Sequence, residues 1–320
     1  RSVAVGITLA ISGLNYVGVR WGARANNLTA VLKVAALVAF AGLGPVFGSG
    51  DLSNLLPVVS GASDLSVADF GRALSPVFFS YLGWNSCVYV ASEIRDPGRN
   101  IPRSLFLGLA LCTAVYLLVN AVYLYAIPVE SLRGEANAGE AAAQALFGGV
   151  GGTLLSFLVL LSILGTLNAT VLVGPRIAYA MALDGLFFPG VERTHATFHT
   201  PSVAIALQAG TAVAILLLLG SFERALDYTT FAILLAAMAD VAALYALRRR
   251  QPHRARPYRA WGYPWVPAAY FLGNFGVAVA LLGLRPLECA IGLGLLAAGL
   301  PFYLGFAWRE RRLARPGKVE

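Results

Sequence analysis

Nine apolar runs of roughly 20 residues each, parted by short polar loops, leave this chain few folds to adopt. They fall near residues 2–20, 26–47, 73–93, 105–127, 150–175, 201–220, 226–247, 264–284 and 286–307. A run of that length crosses the hydrocarbon of a bilayer as an α-helix. No water is available there for exposed backbone groups, so helices that satisfy themselves are the expected solution. Composition agrees: 58% of residues are hydrophobic and 12% charged, and mean hydropathy is +0.70. The expected class is an all-α, polytopic membrane protein with one transmembrane domain over residues 1–320.

The net charge of +8 does not point to nucleic acid, because the basic residues sort by loop. Of 24 Lys and Arg residues, 18 lie in one alternate set of loops and five in the other, with Lys33 inside a span. Basic loops face the cytoplasm, which puts the amino end outside and the carboxyl end inside. The interval 248–265, rich in Arg and Pro, reads as a juxtamembrane anchor on anionic lipid. Outside, the interval 128–152 contains GEANAGEAAAQALFGG, expected as a short amphipathic surface helix. The chain begins with Arg1 on an outside-to-inside crossing, so a fragment of a longer protein is expected. Cys87, Cys112 and Cys289 all fall within spans, without metal-ligand or disulfide-like spacing.

One span is interrupted. FFSYLGWN, residues 78–85, sets Ser80, Gly83, Trp84 and Asn85 near mid-depth, and the charged loop SEIRDPGRNIPRS follows almost at once. Helix-weakening residues at that depth are tolerated where they face protein or a solute cavity. Gly83 permits backbone angles that leave the helix, and carbonyls freed by the interruption suit an ammonium group. The expectation is a broken helix holding a small polar solute. Lys33 lies about 9 Å into its span, counted from Asn27. Intramembrane lysines are costly and commonly functional, and snorkelling to the interface is the alternative. Asn168 and Tyr228 are polar groups that could line the cavity or bond between helices. Asp240, about two turns from Arg248, is expected to pair with an arginine.

Four segments resemble the amino acid–polyamine–organocation permeases, near the L-type and proton-coupled branch. NYVGVRWGARANNLTAVLKV from Asn15 is similar to the junction of that family's fourth and fifth helices, and 78–104 to its sixth helix and following loop. LGTLNATVLVGPRIAYAMALDGLFF from Leu164 is similar to the eighth, and RPYRAWGYPWVP from Arg256 to the start of the eleventh. The resemblance implies a leucine-transporter-like fold of two inverted five-helix repeats with substrate at mid-membrane. The nine spans would be helices four to twelve, with the second repeat near 72–248 and the last two helices near 264–307.

By the same resemblance, the substrate ammonium meets the main-chain oxygens of Phe79, Ser80 and Leu82, and the Phe79 ring covers the site. Leu82 narrows the side-chain pocket, and Trp84 and Asn85 complete the break. Lys33, with Ser162 and Thr166, would serve coupling. Glu93, Arg95, Arg99 and Arg103 suggest an inner gate. The expected function is amino acid transport by alternating access, through proton symport or exchange. The alternative is a transport-incompetent fragment with a structural or sensing role. Neither cofactor nor metal is implied. An ATP-driven pump is not expected, since GxxxxGK[ST] is missing, nor an enzyme, since HExxH, GxSxG and a clustered carboxylate pair are missing. The expected partners are an amino acid, protons and membrane lipid, with no nucleic acid and no protein partner assigned. Arginine outnumbers lysine 22 to 2, a bias that suggests a bacterial inner membrane.

Overall fold

The computed structural model describes residues 1–56, 76–77, 80–135, 137–219, 222–256 and 258–313. Among these residues regular structure is helical throughout. The helices are α1 (Ser2–Val17), α2 (Val19–Phe47), α3 (Ser86–Tyr89), α4 (Pro97–Ala126), α5 (Val129–Leu132), α6 (Ala138–Leu183), α7 (Ser202–Leu219), α8 (Phe222–Arg250), α9 (Trp265–Leu284) and α10 (Pro286–Leu313). Six of them, α2, α4, α6, α8, α9 and α10, are long and apolar enough to cross a membrane, and α1 and α7 are shorter apolar helices. The protein is an all-α polytopic membrane protein. The run expected at 73–93 is interrupted where it is described, as set out below.

A bilayer gives apolar side chains no reason to leave its outer surface, so packing relies on small residues and polar contacts. Helix α1 follows that rule closely. Thr8, Ser12 and Asn15 are buried on one face, while Val3, Leu9 and Val17 are exposed. Gly18, in extended backbone at φ 169°, separates α1 from α2. The loop between α6 and α7 clasps this junction: the fully buried Thr200 donates its hydroxyl to the Tyr16 carbonyl at 2.8 Å. The Tyr16 ring stands edge-on to His195 and Phe198.

Helix α6 carries a kink at Gly148, with φ 72° and ψ −168° inside the helical run. Its first ten residues, before the kink, form a short amphipathic helix that exposes Glu140, Gln144 and Ala145 and buries the opposite face. Ala142 and Ala143 are 0% and 1% exposed and, with Leu146, pack on Phe40 of α2 and Val122 of α4. Alanines leave so little bulk that this face packs closely on its neighbours. A second cluster joins α8, α9 and α10 through Phe231, Leu234, Met238, Val277, Ala278 and Cys289.

Candidate functional site

The backbone leaves the helix at the expected place. Tyr81–Asn85 form a turn, and Gly83 adopts φ +93°, a left-handed conformation that costs a residue with a Cβ roughly 1–2 kcal/mol. Ser86 N–H donates to the Gly83 carbonyl at 3.0 Å and starts α3, which lasts four residues. A 3₁₀ turn at Ala91–Glu93 leads to Asp96, at φ 47°, and then α4.

Polar groups freed by this break find partners on α4. The Tyr116 hydroxyl donates to the Ser80 carbonyl at 2.8 Å, and the hydroxyls of Tyr81 and Thr113 share a hydrogen bond at 2.9 Å. The Tyr81 and Tyr116 rings meet edge to face at 5.4 Å. Ser80 Oγ donates to the Val77 carbonyl at 2.7 Å, and Asn85 Nδ2 to the Tyr89 hydroxyl at 2.9 Å. Leu82 and Trp84 are exposed, and the Trp84 ring stands edge-on to Tyr270 of α9. Phe79 lies outside the described residues. Tyr228 belongs to α8, but its side chain lies outside them too.

Lys33 sits where α2 crosses α6. A Cβ at Gly165 would stand 2.6 Å from Thr29 Oγ1 and 3.0 Å from Lys33 Cε, so only glycine admits this approach. The close crossing lets Lys33 Nζ donate to Thr166 Oγ1 at 3.0 Å, while the Thr166 hydroxyl donates to the Ser162 carbonyl at 3.0 Å. Lys33 and Ser162 also border a cavity of about 80 Å³, otherwise lined by Ala36, Leu37, Leu155, Leu158 and Val159.

Asn168 is buried, and both ends of its amide are engaged away from the break. Its Nδ2 donates to the Gly22 carbonyl of α2, and its Oδ1 accepts from Asn15 Nδ2 of α1, each at 2.9 Å. Such bonds hold helices together in lipid and are worth about 0.6 kcal/mol on average.

Of the residues expected at an inner gate, Glu93 makes a two-pronged contact with Arg176 of α6, at 2.7 Å from Oε1 to Nε and 3.3 Å from Oε2 to Nη2. Arg176 is 9% exposed and Glu93 47%, and the guanidinium also donates to the Leu172 carbonyl. The planar fork suits a carboxylate. Arg95, Arg99 and Arg103 are exposed. Arg248, expected as a partner for Asp240, instead lies 3.8 Å above the Tyr263 ring. Sequence reasoning missed Arg176, Tyr116 and Asn15. Each is a polar group set into an apolar run, which was the available signal.

Over 318 residues the chain is 30% identical to the serine/threonine exchanger SteT of Bacillus subtilis (strain 168), covering 97% of this chain and 70% of that protein. It is 27% identical over 317 residues to Asc-type amino acid transporter 1 of Mus musculus, covering 97% and 59%. To large neutral amino acids transporter small subunit 2 of Homo sapiens it is 28% identical over 319 residues, covering 97% and 58%. The chain thus spans about three fifths of the length of these mammalian relatives. The family model for amino acid permeases matches residues 1–286. On this match and on the interrupted membrane helix, the chain belongs to the amino acid permease family.

Proposed function

We propose that the protein carries a small neutral amino acid across a bacterial inner membrane by alternating access, with its amino end outside. The observation that carries this reading is the left-handed Gly83 within an apolar segment, since a bilayer tolerates such backbone only beside protein or a solute. The substrate ammonium docks on the main-chain oxygens of Phe79, Ser80 and Leu82. A carbonyl has two lone pairs, so Ser80 can accept from both Tyr116 and the ammonium. Leu82, Trp84 and Asn85 bound the side-chain pocket. Glu93 and Arg176 form the inner gate, with Arg95, Arg99 and Arg103 as its solvated rim. Residues 72–248 make up the second repeat, and 1–320 form one transmembrane domain. The exchange named for the Bacillus relative supports exchange here, and serine and threonine as the substrates to try first.

The test is radiolabelled serine uptake into proteoliposomes containing the purified protein. Uptake that needs internal serine is expected. Uptake driven by an inward proton gradient alone makes the protein a symporter, and Lys33→Ala should then flatten its pH profile. Failure to accumulate any neutral amino acid under either condition refutes the proposal.

A further inference from the structure

The loop from α8 to α9 plays no part in the transport reading, yet it is built around a cavity. We propose that this loop is a binding site for a phosphate group, presented by an anionic lipid headgroup or by a small soluble phosphate. The cavity, about 430 Å³, is lined by Arg248, His253, Arg254, Arg256 and Arg259 together with Pro252 and Ala255. Four arginines line one concavity, and among the described residues its lining contains no carboxylate to neutralise them.

The arginines are held rather than splayed. Arg256 donates to the Gln251 carbonyl at 2.7 Å and the Pro252 carbonyl at 3.1 Å, and Arg254 donates to Gln251 Oε1 at 3.0 Å. A guanidinium has five N–H donors, so most remain for a ligand. Arg248 rests on the Tyr263 ring, and its Nε is buried without a hydrogen-bond partner. A buried donor lacking an acceptor is costly, and an anion oxygen would remove that cost. The loop is tied down at its far end, where Trp261 stacks on Phe106 of α4 at 5.3 Å and the Tyr245 hydroxyl donates to the Pro264 carbonyl.

Phosphate fits this lining better than carboxylate. Its oxygens can engage several planar forks at once, and arginine matches that geometry in pairs of bonds. The volume exceeds what a bare phosphate needs and leaves room for an attached glycerol or sugar. Trp261 and Trp265, 72% and 79% exposed, mark the depth of the membrane interface, where lipid phosphates lie.

The experiment compares wild type with Arg254→Gln/Arg259→Gln, two exposed positions, in two arms. One arm measures retention of phosphatidylglycerol over phosphatidylcholine by native mass spectrometry. The other measures the melting temperature in uncharged detergent as inorganic phosphate or pyrophosphate is added at constant ionic strength. Preferential phosphatidylglycerol retention, weakened tenfold or more in the variant, assigns a lipid headgroup. A pyrophosphate-dependent rise in melting temperature, lost in the variant, assigns a soluble phosphate. Should the double variant fail to fold, each single variant is measured the same way. Wild type that prefers neither anion overturns the proposal, as does a folded variant that binds as tightly as wild type.

Discussion

The break at Gly83 and the crossing at Gly165 both rest on a glycine with hydroxyl groups close by, yet they solve opposite problems. At Gly83 the backbone itself departs from the helix, and a neighbouring helix lends hydroxyls to what it frees. At Gly165 the backbone stays helical, and the missing side chain lets two helices close until Lys33 reaches Thr166. The first arrangement leaves polar main chain able to change partners; the second fixes side chains where two helices cross. In a medium without water, the location of polarity, main chain or side chain, separates the part suited to rearrange from the part suited to stay.

The largest test of that contrast is Gly83→Leu. It should abolish substrate binding while the protein still inserts and purifies, because the left-handed φ excludes a branched side chain. Unaltered affinity would mean that the break does not hold the substrate. Next comes Gly165→Leu, whose Cβ would lie 2.8 Å from Thr29 Cβ. Overpacking of this kind costs about 1–3 kcal/mol, so a lower melting temperature in detergent is expected, and an unchanged one would remove the crossing from the fixed part. Tyr116→Phe sharpens the comparison. Loss of one hydrogen bond, about 1 kcal/mol, should shift serine affinity about fivefold with the melting curve unmoved, since 1.4 kcal/mol is tenfold. An equal loss of stability would make Tyr116 scaffold rather than site. The smallest effect is expected from Leu82→Gly, which should raise relative uptake of bulky over small amino acids. The same preference before and after would discard a pocket role for Leu82.

The interrupted span was legible because a glycine, a tryptophan and an asparagine in succession have no ordinary place at mid-membrane. The reach of Lys33 toward Thr166 was legible through the resemblance, which implies a lysine on that helix tied to the eighth. What escaped notice depended on pairings across long sequence separations. Nothing near Glu93 in the sequence names Arg176, and Tyr116 looks like any aromatic of a span until the Ser80 carbonyl is placed under its hydroxyl. The segment before Gly148 keeps Glu140 and Gln144 exposed, while its alanines, small enough for close approach, pack on Phe40 and Val122.

Helix α1 hides Thr8, Ser12 and Asn15 and turns its apolar side chains outward, and this has a consequence for biogenesis. On this segment the exposed Val3, Leu9 and Val17 suit lipid, while its polar face needs a partner helix. Its later docking is then decided by a short polar code, in which Asn15 must meet Asn168. Assembly of this helix becomes a matter of matching rather than of collapse.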